Sequence, residues 1–300
     1  MAKQRQSLSG KVVAITGGAR GIGKATATAL VRKGCRVAIG DLDLELAEQT
    51  AGELGGGTIA LPLDVTERGS FAAFLDAAER ELGPLDVVIN NAGIMPVTAF
   101  DEEPDDSIRR QLDINVYGVI VGTQLAAERL RQRGRGHIVN IASAAGRAPV
   151  PGIATYSGTK HAVVGFSEAV RGELRGTGVE LSCVMPVTVN TALTEGVDDT
   201  LGVKKVEPED VAAEIADALE VPRFDVFVPS YLKYTIAIGS VLPRRAREAI
   251  ARLLGTDKIM TGVSRDARRA YEERASREDI AGGGGAEGSS AGQSPEREAA

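Results

Sequence analysis

Val12-Val13-Ala14-Ile15-Thr16-Gly17-Gly18-Ala19-Arg20-Gly21-Ile22-Gly23 runs from an unbroken apolar segment into a glycine-rich turn, and a helix-forming stretch, Lys24 to Arg32, follows. A glycine turn between a strand and a helix lets the backbone approach a pyrophosphate, which then sits at the helix N-terminus. The glycines are spaced GxxxGxG (Gly17, Gly21, Gly23), not the GxGxxG of the commonest dinucleotide fingerprint. A rival reading lies in the same letters, because Gly18 through Lys24 fits GxxxxGK, the opening of a nucleoside-triphosphate loop. That motif needs Ser or Thr next, to hold magnesium, and this chain has Ala25, so the rival is set aside.

Outward from the turn, the apolar run Val37-Ala38-Ile39-Gly40 ends in Asp41, eighteen residues past Gly23. An acid about 20 residues beyond the turn takes the ribose hydroxyl of NAD, and its charge repels the 2′-phosphate of NADP. Arg20 pulls mildly the other way, yet Asp41 is the more direct contact, so NAD is favoured over NADP. A helix-capping role for Asp41 ahead of Leu42-Asp43-Leu44-Glu45 ranks behind the ribose role. Apolar strand-like runs fall near 11–16, 36–40, 58–63, 85–90, 137–142, 179–185 and 225–228. Amphipathic stretches lie between them, near 22–33, 43–54, 67–82, 106–133, 154–176 and 207–220. This alternation predicts an α/β fold, a Rossmann-type doubly wound parallel sheet of about seven strands with helices on both faces and ligands at the carboxyl ends of the strands.

A second signal lies far along the chain, in Tyr156-Ser157-Gly158-Thr159-Lys160, with Ser143 thirteen residues before the tyrosine. Residues four apart on a helix share a face, so the Lys160 ammonium can lie beside the Tyr156 hydroxyl and favour its phenolate. Ser143 can donate a hydrogen bond to a substrate oxygen. Ser143 follows the fifth strand and Tyr156 opens the next helix, so both fall on the rim that carries the glycine turn.

With both signals in place, the sequence resembles the short-chain dehydrogenase/reductase family, in its compact single-domain branch, over roughly Leu8 to Val228. Asp64-Val65 resembles the family's adenine-contacting pair. Asn91-Ala92-Gly93, after Asn90, resembles the motif that supports the central sheet and flanks the adenine ribose. Asn115 matches the family's fourth catalytic residue, beside Ser143, Tyr156 and Lys160, and the resemblance implies that it positions a water linking Lys160 to solvent. Pro186, Val189 and Thr191 match nicotinamide-loop positions. The resemblance also implies that Gly17, Arg20, Gly21, Ile22 and Gly23 face the cofactor, that Lys160 and Tyr156 reach its nicotinamide end, and that copies of the chain pair as a homodimer or homotetramer through the helices at 106–133 and 154–176. One departure is visible: the family has Pro-Gly where this chain has Pro186-Val187, and a β-branched residue resists positive φ.

Composition narrows the rest. A length of 300 residues, 43% hydrophobic and 25% charged, suits a globular chain with a large core. A net charge of −6 argues against a general nucleic-acid binder. Both cysteines, Cys35 and Cys183, fall in or beside expected buried strands and read as small core residues, which fits a reducing cytoplasm. Met1 to Gly10 is polar and has no signal-peptide character. The two histidines, His137 at a strand entry and His161 after Lys160, read as structural or exposed. No zinc spacing and no GxSxG elbow occur, which disfavours a hydrolase or a zinc-dependent dehydrogenase.

Thr188 to Val206, with Gly196 and Gly202, reads as a substrate lid, and Ala144 to Pro151 as a second, apolar pocket wall. Arg147 in that wall reads as a surface ion-pair residue. Beyond Pro229 the family pattern ends. Residues 1–229 form the dinucleotide-binding and catalytic domain, 230–281 a helical extension, and 282–300 a Gly/Ser/Ala/Glu-rich disordered tail. Tyr231 to Leu242 is apolar but too short to span a bilayer. Arg244 to Leu254 is a basic amphipathic helix, for which packing on this subunit or a neighbour is favoured over peripheral contact with an anionic membrane. The function expected is NAD-dependent interconversion of a secondary alcohol and a ketone on an apolar substrate, whether steroid, fatty acyl, retinoid-like or terpenoid. Two alternatives stay open: a catalytically silent NAD-binding regulator, and a sugar-nucleotide epimerase or dehydratase that also uses YxxxK.

Overall fold

The computed structural model describes residues 5–194 and 205–254. Seven strands form one sheet: β1 (Val12–Thr16), β2 (Arg36–Asp41), β3 (Ile59–Pro62), β4 (Val87–Asn90), β5 (Gly136–Ile141), β6 (Val179–Pro186) and β7 (Asp225–Val228). Their order is β3-β2-β1-β4-β5-β6-β7 and every pairing is parallel. The order reverses between β1 and β4, and the carboxyl ends of those strands open the crevice where such sheets bind ligands.

Strand alternation sends side chains to two cores. Val12 and Ala14 join Val88, Ile138 and Cys183 on one face, under α3 (Arg68–Leu82), α5 (Gly118–Gln132) and α6 (Ala154–Glu173). Val13 and Ile15 join Val87, Ile89 and Val184 on the other, under α1 (Gly21–Arg32), α2 (Leu44–Leu54) and α7 (Pro208–Glu220). Burial on both faces is why these strands read as continuous apolar runs. Phe71 and Phe74 of α3 are fully buried and meet edge-to-face at 6.4 Å. Both cysteines are free thiols in these cores, and burial holds the Cys35 thiol at about 11 and the Cys183 thiol at about 12.

The stretch expected to be one helix, 106–133, is divided. α4 (Asp105–Leu112) passes through a π-helical turn at Asp113–Tyr117 before α5 begins. The widened turn carries Asn115 into the body of the protein, where it is fully buried. π-turns inside α-helices gather at functional sites, and periodicity cannot reveal a single wide turn.

After β7 come α8 (Leu232–Val241) and α9 (Arg244–Leu254). Leu232 is buried, but Tyr231, Tyr234, Ile238, Val241 and Ile250 stand exposed. Packing of α9 on its own subunit, one of the two packings the sequence favours over a membrane, is slight: among its residues whose burial is described, only Ala246 is half-buried. The centre of the expected lid, with Gly196 and Gly202, and everything from residue 255 onward, including the tail, lie outside the described residues.

Candidate active site

The turn after β1 is shaped by its glycines. Gly17 has φ +64°, and a Cβ there would lie 2.9 Å from the Ala92 Cα. A Cβ on Gly23 would lie 2.1 Å from the Gly17 carbonyl oxygen. Gly23→Ala must therefore force the turn open, and the expected outcome is a loss of NAD affinity of about tenfold or more by calorimetry, about 1.4 kcal/mol. Asn91 braces the turn from β4: its side-chain amide donates to the Thr16 and Gly17 carbonyls, each at 2.9 Å. The Thr16 hydroxyl accepts from the backbone N–H groups of Asn91 and Ala92 at 2.9 and 3.0 Å. Thr16 was not singled out from the sequence; its position directly before the glycines was the available signal.

Asp41 ends β2 beside this turn. Its carboxylate accepts from the Ala19 N–H at 3.0 Å and the Asp43 N–H at 3.2 Å. Burial nevertheless raises its pKa above the usual carboxylate range, those two bonds only partly offsetting the desolvation. The N-cap of α2 is Asp43, which accepts from the Leu46 N–H, so Asp41 is not the cap. Arg20, at the N-cap of α1, pairs with Asp43 at 2.6 Å.

On the far side of the switch point, Lys160 is buried and donates to the Ile141 carbonyl at 2.9 Å. Its ammonium lies 5.6 Å from the centre of the Tyr156 ring. Desolvation lowers the Lys160 pKa to about 8, so the ammonium persists at neutral pH. Ser143, two residues beyond β5, accepts from the Ala145 N–H at 3.1 Å and donates to the Pro186 carbonyl at 3.5 Å. Asn115 makes a reciprocal pair with Ile94, accepting from its N–H and donating to its carbonyl, each at 2.9 Å. It also donates to the Thr159 hydroxyl at 3.2 Å, and that hydroxyl donates to the Tyr156 carbonyl at 2.7 Å. Thr159, between Tyr156 and Lys160 in sequence, thus ties the π-turn to α6; it too was missed, since a threonine in a helix carries no signal by itself.

One cleft of about 2320 Å³ runs past all of this. It is lined by Gly17, Arg20, Gly21, Ile22, Asp41, Asp64, Val65, Asn91, Ala92, Gly93, Ser143, Tyr156, Lys160, Pro186, Val189 and Thr191. Gly23 and Asn115 do not line it. Gly23 lies behind the turn, and Asn115 lies behind Gly93, where a Cβ would sit 3.1 Å from its Oδ1. Asp64 turns its carboxylate onto Thr66, accepting from both its N–H and its hydroxyl at 2.8 and 2.6 Å. The Thr191 methyl comes within 3.3 Å of the Cβ position of Gly21, so the loop after β6 reaches the glycine turn. Val187 donates its N–H to the Val228 carbonyl at 2.9 Å, extending the β6–β7 ladder by one step.

The part of the cleft beside Tyr156 is apolar. Met95, Ala145, Ile153 and Tyr156 form a small cluster backed by Val97, Val150 and Leu193. Arg147 of this wall pairs with Glu168, as its surface role implied. His161 stands at the rim with Nδ1 against the Ser157 carbonyl at 2.8 Å, and His137 is buried against Ser182 at 2.8 Å, at the opposite end of the sheet. Ile236 of α8, Leu242 just after it and Ile250 of α9 line the outer end of the cleft.

These features fit a nicotinamide dinucleotide. The first N–H groups of α1 have no intrahelical acceptors, its first turn has no acidic residue, and Gly17, Gly21 and Ile22 line the cleft at its N-terminus, where a pyrophosphate would sit. No cluster of His, Cys, Asp or Glu able to hold a metal occurs among the described residues.

Comparison with known proteins agrees. The family model for short chain dehydrogenase matches residues 11–202. The chain is 30% identical over 257 residues to 17-beta-hydroxysteroid dehydrogenase 13 of Rattus norvegicus, covering 84% of this chain and 85% of the relative. A short chain dehydrogenase/reductase from Burkholderia phymatum, solved in complex with NAD, superposes with a TM-score of 0.72 at 25% identity, over 78% of this chain and 94% of that one. The 3-ketoacyl-(acyl-carrier-protein) reductase of Brucella melitensis, solved with NADH, gives a TM-score of 0.68 at 28% identity, over 74% and 98%.

Proposed function

Because this chain belongs to the short-chain dehydrogenase/reductase family, oxidoreductases that act on CH–OH groups with a nicotinamide cofactor, we propose that it interconverts an apolar secondary alcohol and its ketone, with NAD as the cofactor and Tyr156 as general acid/base. The observation that carries this reading is the opening of Ser143, Tyr156 and Lys160 onto the same cleft as the glycine turn. Val189 and Thr191 would hold the nicotinamide end of the dinucleotide, which when bound would supply the hydride acceptor. Tyr156 takes the hydroxyl proton of the alcohol as its C–H bond breaks, and returns it in the reverse direction. The Lys160 ammonium stabilises the phenolate this leaves and binds the nicotinamide ribose. Ser143 turns its hydroxyl from the Pro186 carbonyl to the substrate oxygen and stabilises charge developing there. Asn115 pins Ile94 and Thr159, so it holds the floor beneath Lys160 and the water path from it to solvent.

The preference for NAD rests on Asp41 and on the Arg20–Asp43 pair, which engages the cation that could otherwise meet a 2′-phosphate. Asp41→Asn keeps an acceptor for the Ala19 N–H and removes the charge. Its expected effect is a fall of about tenfold in NAD-over-NADP selectivity, read from kcat/KM with each cofactor, about 1.4 kcal/mol. The apolar wall of Met95, Ala145, Val150 and Ile153, and the similarity to a named hydroxysteroid dehydrogenase, support a bulky apolar substrate. A cleft of about 2320 Å³ exceeds the roughly 300–1,000 Å³ of a drug-sized pocket, leaving room for dinucleotide and substrate together. The test is a panel of secondary alcohols, from short alkanols to hydroxysteroids, scored by NADH absorbance at pH above neutrality. Turnover rising with apolar bulk is the expected result; turnover of none of them removes the reading.

The buried free thiols Cys35 and Cys183 support action in a reducing cytoplasm. Pairing with a second copy through α4–α5 and α6 is supported by exposed Leu112 and Tyr117 and by open space beside Gly158 and Gly165. Light scattering on the full chain checks that assembly.

A further inference from the structure

α8 and α9 have two apolar sides, and among the described residues only one of them faces the cleft. Ile236, Leu242 and Ile250 line the outer end of the catalytic cleft. Tyr231, Tyr234 and Val241 do not line it; they are 50%, 62% and 81% exposed. Ile238 lies on the cleft's lip and is itself 62% exposed. A face this apolar, left in water, signals a contact surface.

The charge around it selects the partner. Residues 231–254 carry Lys233, Arg244, Arg245, Arg247 and Arg252 against the lone carboxylate Glu248, a net +4 in a chain whose total is −6. The charge of this segment is thus opposite in sign to that of the whole. Glu248 is engaged by Arg244 at 2.8 Å, which leaves Arg245 and Arg247 with no ion-pair partner among the described residues. Lys233 lies over the Tyr234 ring at 4.7 Å, so aromatic and cation share one spot. Apolar side chains flanked by Tyr, Lys and Arg on short helices match the boundary between lipid headgroups and acyl chains. Among the described residues no helix is long and apolar enough to cross a membrane, and α8, at ten residues, extends only about 15 Å.

We propose that the outer face of α8–α9 docks on an anionic lipid bilayer, and that the catalytic cleft opens at that surface so that an apolar substrate enters from lipid. The entry route rests on the apolar-alcohol reading above; the docking does not. Lying flat, the helices put Tyr234 and Val241 below the headgroups and Arg245 among the phosphates, with Arg247 at the cleft beside them. Ile238 then sits where lipid and cleft meet.

The experiment is sedimentation of the full chain with vesicles of phosphatidylcholine, alone or mixed with phosphatidylglycerol, at low and high salt. Wild-type protein is expected to sediment with the mixed vesicles and to be released by salt. Each basic residue near an anionic surface is worth about fivefold in partitioning, so Arg245→Glu, a change of two charges, is expected to weaken it by about thirtyfold. Val241→Asp and Tyr234→Asp are expected to weaken it by about tenfold or more. These three residues lie off the cleft, so turnover of a water-soluble alcohol is expected to match wild type and to show that the variants fold. Turnover of a vesicle-borne alcohol falls with binding. Wild-type protein left in the supernatant overturns the proposal, as does equal sedimentation of all three variants. So does an oligomer that Val241→Asp dissociates, because a second copy then covers the face. Sedimentation that depends on Arg245 and Val241, with no activity on any secondary alcohol, supports docking and removes the catalytic reading instead.

Discussion

Tyr156→Phe is expected to bind NAD with near-wild-type affinity and to turn over at least ~10²-fold more slowly. The side chain is buried and belongs to the apolar cluster with Met95, Ala145 and Ile153, so phenylalanine fills the same space and the wall keeps its shape. Only the hydroxyl is lost. If that hydroxyl carries the proton, the loss falls on kcat with KM little changed, because the interaction matters as the C–H bond breaks. Steady-state rates by NADH absorbance, paired with calorimetric NAD binding, make the measurement. Turnover close to wild type would remove Tyr156 from the role and revive the alternative in which the fold merely binds NAD.

Lys160→Met is expected to lower turnover by a similar ~10²-fold, to weaken NAD binding, and yet not to destabilise the fold at neutral pH. Lys160 is buried with no carboxylate partner among the described residues, and desolvation lowers its pKa from 10.5 to about 8. That shift means the folded state bears a cost of about 3 kcal/mol for keeping the ammonium at neutral pH. Methionine removes the cost and leaves the Ile141 carbonyl without its donor, a loss of about 1–3 kcal/mol, so the two nearly cancel. The pH dependence separates this from other causes. Between pH 8 and 10.5 the unfolded chain holds the Lys160 proton and the folded chain sheds it, so stability rises with pH. From about pH 8 the buried thiols oppose this, because unfolded Cys35 and Cys183, with an ordinary value of 9.0, lose protons that the folded chain keeps to about 11 and about 12. The Lys160 contribution is therefore read as a difference between the two proteins. Between pH 8 and 9 the urea unfolding free energy of wild-type apoprotein should climb by about 1 kcal/mol relative to that of Lys160→Met.

The features that sequence discloses here are those with a fixed period or a fixed spacing. Doubly buried strands such as Val12–Thr16 and Val87–Asn90 leave apolar runs, and Asp225–Val228 was placed to the residue. The glycine turn was legible because glycine is what permits φ +64° at Gly17 and the 2.1 Å approach at Gly23. Tyr156 and Lys160 were legible because helical spacing puts them on one face. What was not legible depends on long-range closure. The π-turn at Asp113–Tyr117 keeps helical dihedrals on both sides, so only its partners Ile94 and Thr159 explain it. Thr16 and Thr159 act through single hydroxyl bonds to distant backbone, which no local pattern announces. The basic helix at 244–254 was recognised as amphipathic, but its period could not say whether protein or lipid covers it, since both demand one apolar side. Its exposure in the fold is what bears on that choice.

In the proposed reaction Lys160 and Tyr156 work together beside a dinucleotide held by the glycine turn. A crystal structure of the complex with NAD tests it most directly. The pyrophosphate is expected over Gly21 and Ile22, the adenosine ribose on Asp41, and the nicotinamide ribose within about 3 Å of the Lys160 ammonium and the Tyr156 hydroxyl. A dinucleotide bound with its nicotinamide end away from those two side chains would contradict it.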